Sequence, residues 1–157
     1  MSQYTEDSVF SATGRFSRSA FLAWSSLLFF AVIFLFFMIY FISPHLFLDV
    51  ISGSFGIGMI LFVIIYIVFN YFNFVFIIRR LHDRNHIGWF SLLMFVPIVN
   101  AIFSLYLIFA PGNDHRNNYG KPRPTAGWEK IFCWITVIVW LVIGFAYGVL
   151  LTMMSNH

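Results

Sequence analysis

The run His82-Asp83-Arg84-Asn85-His86 places two imidazoles four residues apart with a carboxylate beside the first, the ingredients of a zinc-protease helix. On a helix such rings share one face and could ligate a single metal while the acid serves as general base. Asp is shorter than the Glu usual in that role, Asn85 and Gly88 favour a turn, and the nearest further ligands are the distant Asp114 and His115. A structural reading fits better. Asp83 is expected to pair with Arg79, Arg80 or an arginine nearer the amino terminus, and His82 to donate to a backbone carbonyl, so that both shape a tight loop. Neither a catalytic residue, a metal site nor a cofactor is expected.

These residues stand against the end of an apolar run, Phe55 to Ile78, long enough to cross about 30 Å of hydrocarbon. The composition agrees: 61% hydrophobic, 22% aromatic and 10% charged residues, with a mean hydropathy of +0.86, against about 25% charged in a soluble domain. The fold class is therefore all-α, a polytopic helical membrane protein, because backbone amides in lipid must be satisfied within each segment. Four apolar segments are expected at about 20–42, 55–78, 87–109 and 131–151, after an amino-terminal segment 1–19 and before a short tail 152–157. Met1 to Ser11 carries Glu6 and Asp7 and does not resemble a cleaved signal, so the first helix should stay as an anchor. Cys133 lies inside the fourth apolar run and reads as a packing residue.

Arg15 and Arg18 precede the first span, the loop Ser43 to Ser54 has no Lys or Arg, and Arg79, Arg80 and Arg84 follow the second. The excess of cations on cytoplasmic loops then predicts a cytoplasmic amino terminus. Arg116, Lys121, Arg123 and Lys130 break that rule if the third segment crosses. Two topologies stay open: four full spans with a kink at Pro97, or a third segment that enters and returns as a re-entrant hairpin broken near Pro97 and Asn100.

Three further patterns are candidate sites. Arg15, Arg18, Arg79, Arg80 and Arg84, joined by Arg116, Lys121 and Arg123, would form a basic patch suited to anionic lipid headgroups; nucleic acid is not expected as a partner, since basic residues are few. Tyr66, Asn70, Asn73 and Arg80 fall on one helical face as a polar stripe, either for bonds to Ser25, Ser26, Asn100 or Ser104 or as the lining of a substrate path. Gly144 and Gly148 beneath Trp140 form a GxxxG groove for helix association in a homodimer or with another membrane protein, and Ser52-x-x-x-Gly56 and Ser54-x-x-x-Gly58 repeat the small-residue spacing. Trp24, Trp89, Trp128 and Tyr119 read as interfacial anchors.

Gly14-Arg15-x-x-Arg18-x-x-Phe21-x-x-Trp24, Arg79-Arg80-Leu81-His82-Asp83, Gly88-Trp89-Phe90, Pro97, Pro111-Gly112 and Asn118-Tyr119-Gly120 together resemble the YhaH-like inner-membrane family of bacteria, domain-of-unknown-function family 805. The resemblance covers roughly Phe10 to Pro124 and departs from the family pattern at Asn85-His86-Ile87 and Asn113 to Arg116. It implies a bacterial inner membrane and brings no established activity. The expected function is that of a non-enzymatic membrane protein that binds anionic lipid or membrane-protein partners in support of the envelope. A small oligomeric transporter or channel with a path along the second helix is the alternative.

Overall fold

The structure, a computed structural model, describes residues 8–155. Readings that rest on Glu6, Asp7 and the rest of residues 1–7, or on the last two residues of the tail, lie outside the described residues. The chain forms α1 (Arg18–Ile42), α2 (Pro44–Ser52), α3 (Ile57–Asp83), a 3-10 helix (Gly88–Phe95), α4 (Val99–Phe109) and α5 (Gly127–Ser155). Among the described residues there is no strand, only the isolated bridge Asn117–Gly120, and the protein is an all-α membrane protein. Helices α1, α3 and α5 are long and apolar enough to cross a membrane. Aromatic contacts set their directions. Phe16–Phe76 and Phe36–Phe62, with centroids 5.7 and 5.8 Å apart, make α1 and α3 antiparallel, and Trp24–Trp128 and Phe29–Trp140 run α5 alongside α1 in the same sense.

Helix ends follow local chemistry. Ser17 accepts from the Ala20 amide to cap α1, and Glu129 reaches back to the Ala126 amide in the manner of a capping box to open α5. Asn85, at φ 60°, closes α3: its amide donates to the His82 carbonyl and the His86 amide to the Leu81 carbonyl, a Schellman pattern. The α3 helix therefore includes Arg79 to Asp83, five residues beyond the expected end at Ile78, and stops before His86.

Two segments differ from the sequence reading. The stretch 43–54, read as a loop, contains α2, begun by Pro44 at a position where its missing N–H costs nothing. A Cβ on Gly58 would sit 1.9 Å from the Leu46 carbonyl oxygen, and one on Gly56 2.2 Å from Asp49 Oδ2. The small residues there let α2 close onto α3, so this spacing serves packing within the chain rather than an outer face.

The third apolar segment is not one helix. Its first arm starts beside the end of α3, where a Cβ on Gly88 would lie 3.1 Å from Ile78, and rises until Phe95 meets Phe74 at 5.2 Å. The chain then turns at Val96 to Ile98 and α4 descends until the Leu107 carbonyl accepts from Arg80, again at the end of α3. Eight 3-10 residues and eleven α-helical ones each rise roughly 16 Å, about half of what a crossing requires. The segment is a hairpin, in contrast to the four full spans. Its tip is a γ-turn: Ile98 has φ 69° and ψ −52°, and the Val99 amide donates to the Pro97 carbonyl at 2.8 Å. Asn100 braces the turn by donating to the Met94 carbonyl.

A β-branched residue at positive φ is strained by about 1–3 kcal/mol. Ile98→Gly is therefore expected to leave the thermal midpoint unchanged or raised in detergent. A lowered midpoint, as for Gly in the interior of a continuous helix, would contradict the turn.

Candidate functional site

The charged motifs converge on Asp83. Its Oδ1 accepts from Arg15 Nε and Nη2 at 3.1 and 2.9 Å, and its Oδ2 from Arg80 Nη1 at 2.6 Å. Asp83, Arg15 and Arg80 are 5%, 1% and 0% exposed, so one carboxylate faces two guanidinium groups out of contact with solvent. The remaining donors go to backbone carbonyls. Arg15 also donates to the carbonyls of His115, Gly120, Asp83 and Asn113, and Arg80 to those of Leu107, Phe16 and Ala110. Arg80 thus closes the carboxyl end of α4, whose last carbonyls have no partner within their own helix. Gly112 is required beside this group, since a Cβ there would come within 1.9 Å of Asp83 Oδ2.

Arg79 turns to the other side of α3. It donates to the carbonyls of Ser8 and Ser11, lies 4.5 Å over the Phe16 ring, and accepts the Phe16 amide on its own carbonyl. A second buried acid ties in α5: Glu129 Oε1 accepts from Trp24 Nε1 and from Arg123 Nη2, both at 2.8 Å. Ser17 and Thr125 hydroxyls meet at 2.7 Å beside it. The two buried acids hold the amino-terminal segment, the end of α3, the foot of the hairpin, the loop 111–126 and the start of α5 in one unit.

Several sequence readings change. Arg15, Arg79 and Arg80, read as part of a lipid-facing patch, point inward; Arg18 is exposed and Arg84 is half-buried. His82 does not share a helical face with His86. Its ring stacks on Tyr119 at 3.7 Å, and its carbonyl accepts from Asn117, whereas His86 Nε2 lies 2.8 Å from the Tyr106 hydroxyl. Among the described residues no group of three or more His, Cys, Asp or Glu could hold a metal ion. In the polar stripe Tyr66 is exposed, and the Asn70 and Asn73 amides donate to the carbonyls of Tyr66 and Phe69 one turn earlier. Among the described residues no hydrogen bond joins them to Ser25, Ser26, Asn100 or Ser104; Ser104 bonds Asn100 instead. Gly144 and Gly148 lie on an exposed face of α5 with nothing within 4 Å of an added Cβ. Of the interfacial aromatics, Trp89 is 76% exposed, while Trp24, Trp128 and Tyr119 have partners inside the fold.

Glu129 was not singled out from the sequence, although a lone acid in the first turn of a span is a recognisable signal. Phe16 and Tyr106 carried no such mark.

Three long apolar helices, a half-length hairpin and a buried arginine–carboxylate unit at one end define a polytopic helical membrane protein. The chain belongs to the family described as "Protein of unknown function (DUF805)", which matches residues 9–121. The matched span holds Arg15, Arg79, Arg80, Asp83 and Gly112; Glu129 and α5 lie beyond it. No curated relative and no solved structure is similar enough to match.

Removing the charge of Asp83 strands two buried guanidinium groups, and breaking such a pair costs about 3–5 kcal/mol. Asp83→Asn should therefore lower the unfolding midpoint in detergent sharply, and Arg84→Gln far less. Equal effects of the two variants would contradict the assignment of Asp83 as the central partner.

Proposed function

We propose that this is a non-enzymatic inner-membrane protein whose basic end lies on the cytoplasmic side and engages anionic lipid headgroups in support of the envelope. The observation that carries the reading is the clustering of cations. All nine Lys and Arg residues belong to segments at one end of the bundle, whereas the opposite end carries Asp49 and His45 on α2. With the third segment as a hairpin, the four cations of 116–130 fall on the same side as the amino-terminal ones, and the positive-inside rule is obeyed by every loop. Three crossings then put the end of α5 on the periplasmic side.

Arg18, Arg116, Lys121 and Lys130 are exposed at that end, and a basic residue near an anionic surface contributes about 1 kcal/mol. That is a diffuse, salt-sensitive attraction.

Fluorescent-protein fusions after Lys121 should fluoresce, as for a cytoplasmic site, while alkaline phosphatase should be active after Gly53 and after Ser155. Phosphatase activity after Lys121 would overturn the topology. In nanodiscs of phosphatidylethanolamine with a minority of phosphatidylglycerol, boundary lipid should be enriched in phosphatidylglycerol. Added salt, or neutralising Arg18, Arg116, Lys121 and Lys130 to Gln, should reduce that enrichment; boundary lipid of bulk composition would overturn the lipid reading.

A further inference from the structure

Arg84, Tyr106 and His86 form a second polar group beside the Asp83 unit and make no contact with its carboxylate. Arg84 Nε donates to the Tyr106 hydroxyl at 2.6 Å, that hydroxyl lies 2.8 Å from His86 Nε2, and the guanidinium sits 4.7 Å over the Tyr106 ring. Since Arg can only donate, the arrangement that satisfies every atom has the hydroxyl donating to Nε2, which leaves the His86 proton on Nδ1. Arg84 also donates to the Pro111 carbonyl, and its Nη2 has no partner among the described residues.

Two members of this group, His86 and Tyr106, line the head of an apolar cleft, and Arg84 reaches it through its bond to the Tyr106 hydroxyl. A space of about 190 Å³ is lined by Leu81, His86, Phe90, Phe103 and Tyr106. A second, of about 350 Å³, shares Phe103 and Tyr106 and adds Val99 and Ile102. Val99, Ile102, Phe103 and Tyr106 have the spacing of one α4 face, so the lining runs about 10 Å from Tyr106 toward the hairpin tip. The cation thus stands at the water-facing end of α3, and the apolar lining leads from it toward membrane depth.

We propose that this cleft binds one anionic phospholipid of the surrounding bilayer, its phosphodiester on Arg84 and His86 and an acyl chain along Phe103, Ile102 and Val99. Arg84, bonded to Tyr106 at one end of the lining, supplies the charge complementarity, and the apolar lining of Phe103, Ile102 and Val99 matches an acyl chain. A soluble anion would leave the apolar part unfilled, and a neutral lipid would leave Arg84 without its counter-charge. The proposal rests on the reading that the basic end meets anionic headgroups, and it narrows that contact to one place.

Native mass spectrometry of the full chain released from phosphatidylglycerol and phosphatidylethanolamine nanodiscs tests it. The washes use about 1 M salt, where the Debye length is about 3 Å and diffuse attraction is screened. The expected result is one phosphatidylglycerol retained per chain, reduced roughly tenfold, about 1.4 kcal/mol, by Arg84→Gln. Ile102→Trp, which fills the cleft from an exposed position remote from Asp83, should reduce it equally, and Arg116→Gln with Lys121→Gln should not. Because Ile102 is 66% exposed, its replacement tests the cleft even where Arg84→Gln disturbs folding. A retained lipid indifferent to Ile102→Trp, or one lost only with Arg116 and Lys121, would overturn the site. Salt-sensitive enrichment with no lipid retained in high salt would overturn it too, while leaving the broader reading intact; no enrichment at any salt would remove both.

Discussion

A single buried carboxylate with two guanidinium partners governs this fold. Two arginines and one aspartate with almost no solvent contact carry an excess positive charge, and desolvating each ion costs several kcal/mol. The structure offsets that cost with backbone carbonyls, six of them from the amino-terminal segment, the end of α4 and the loop beyond it, together with the Asp83 carbonyl. Each carbonyl satisfied is also a piece of chain fixed in place. Electrostatic necessity therefore acts as a tether, and segments separated by about a hundred residues are held together because the guanidinium groups have no other way to complete their donors.

The hairpin follows from the same constraint. Its two arms begin and end beside Ile78 to Asp83 because Arg80 takes the carbonyls at the foot of α4 and the Asn113 amide donates to the Asp83 carbonyl at 2.9 Å. A third full crossing would carry the loop 111–126 to the far side of the bundle, away from Arg15 and Asp83, and leave both without their partners. The strain stored at Ile98 is small beside that loss. The same tethering removes Arg15, Arg79 and Arg80 from the surface and leaves Arg18, Arg116, Lys121 and Lys130 exposed and Arg84 half-buried.

The long helices were legible in the sequence because hydrocarbon thickness dictates their length, whereas Pro97 and Asn100 left the third segment open between a kinked span and a hairpin. The end of α3 was legible in part: Asn85 marked the turn, but the last five helical residues are charged or polar enough to look like a loop. The burial of the arginines was not legible. Arg next to a span is ordinarily a topology signal or a headgroup contact, and the carbonyls that bind it here leave no trace in side-chain identity. The stripe of Asn70 and Asn73 looked like an interhelical surface, yet an Asn amide reaches the carbonyl one turn back and needs no second helix. Glu129 was missed since its distant partner, Trp24, becomes a neighbour only when α5 lies alongside α1.

Hydrogen exchange of the full chain in lipid nanodiscs, comparing the wild type with Arg15→Gln, reads whether the buried charge holds distant segments together. Segments 14–17 and 112–120, irregular and about a hundred residues apart, should exchange slowly in the wild type, because the amides of Phe16 and Asn113 are bonded to the carbonyls of Arg79 and Asp83. Both segments should lose protection together in the variant. Rapid exchange of 112–120 in the wild type, or protection there that survives the loss of Arg15, would show that the loop is not held by the buried charge.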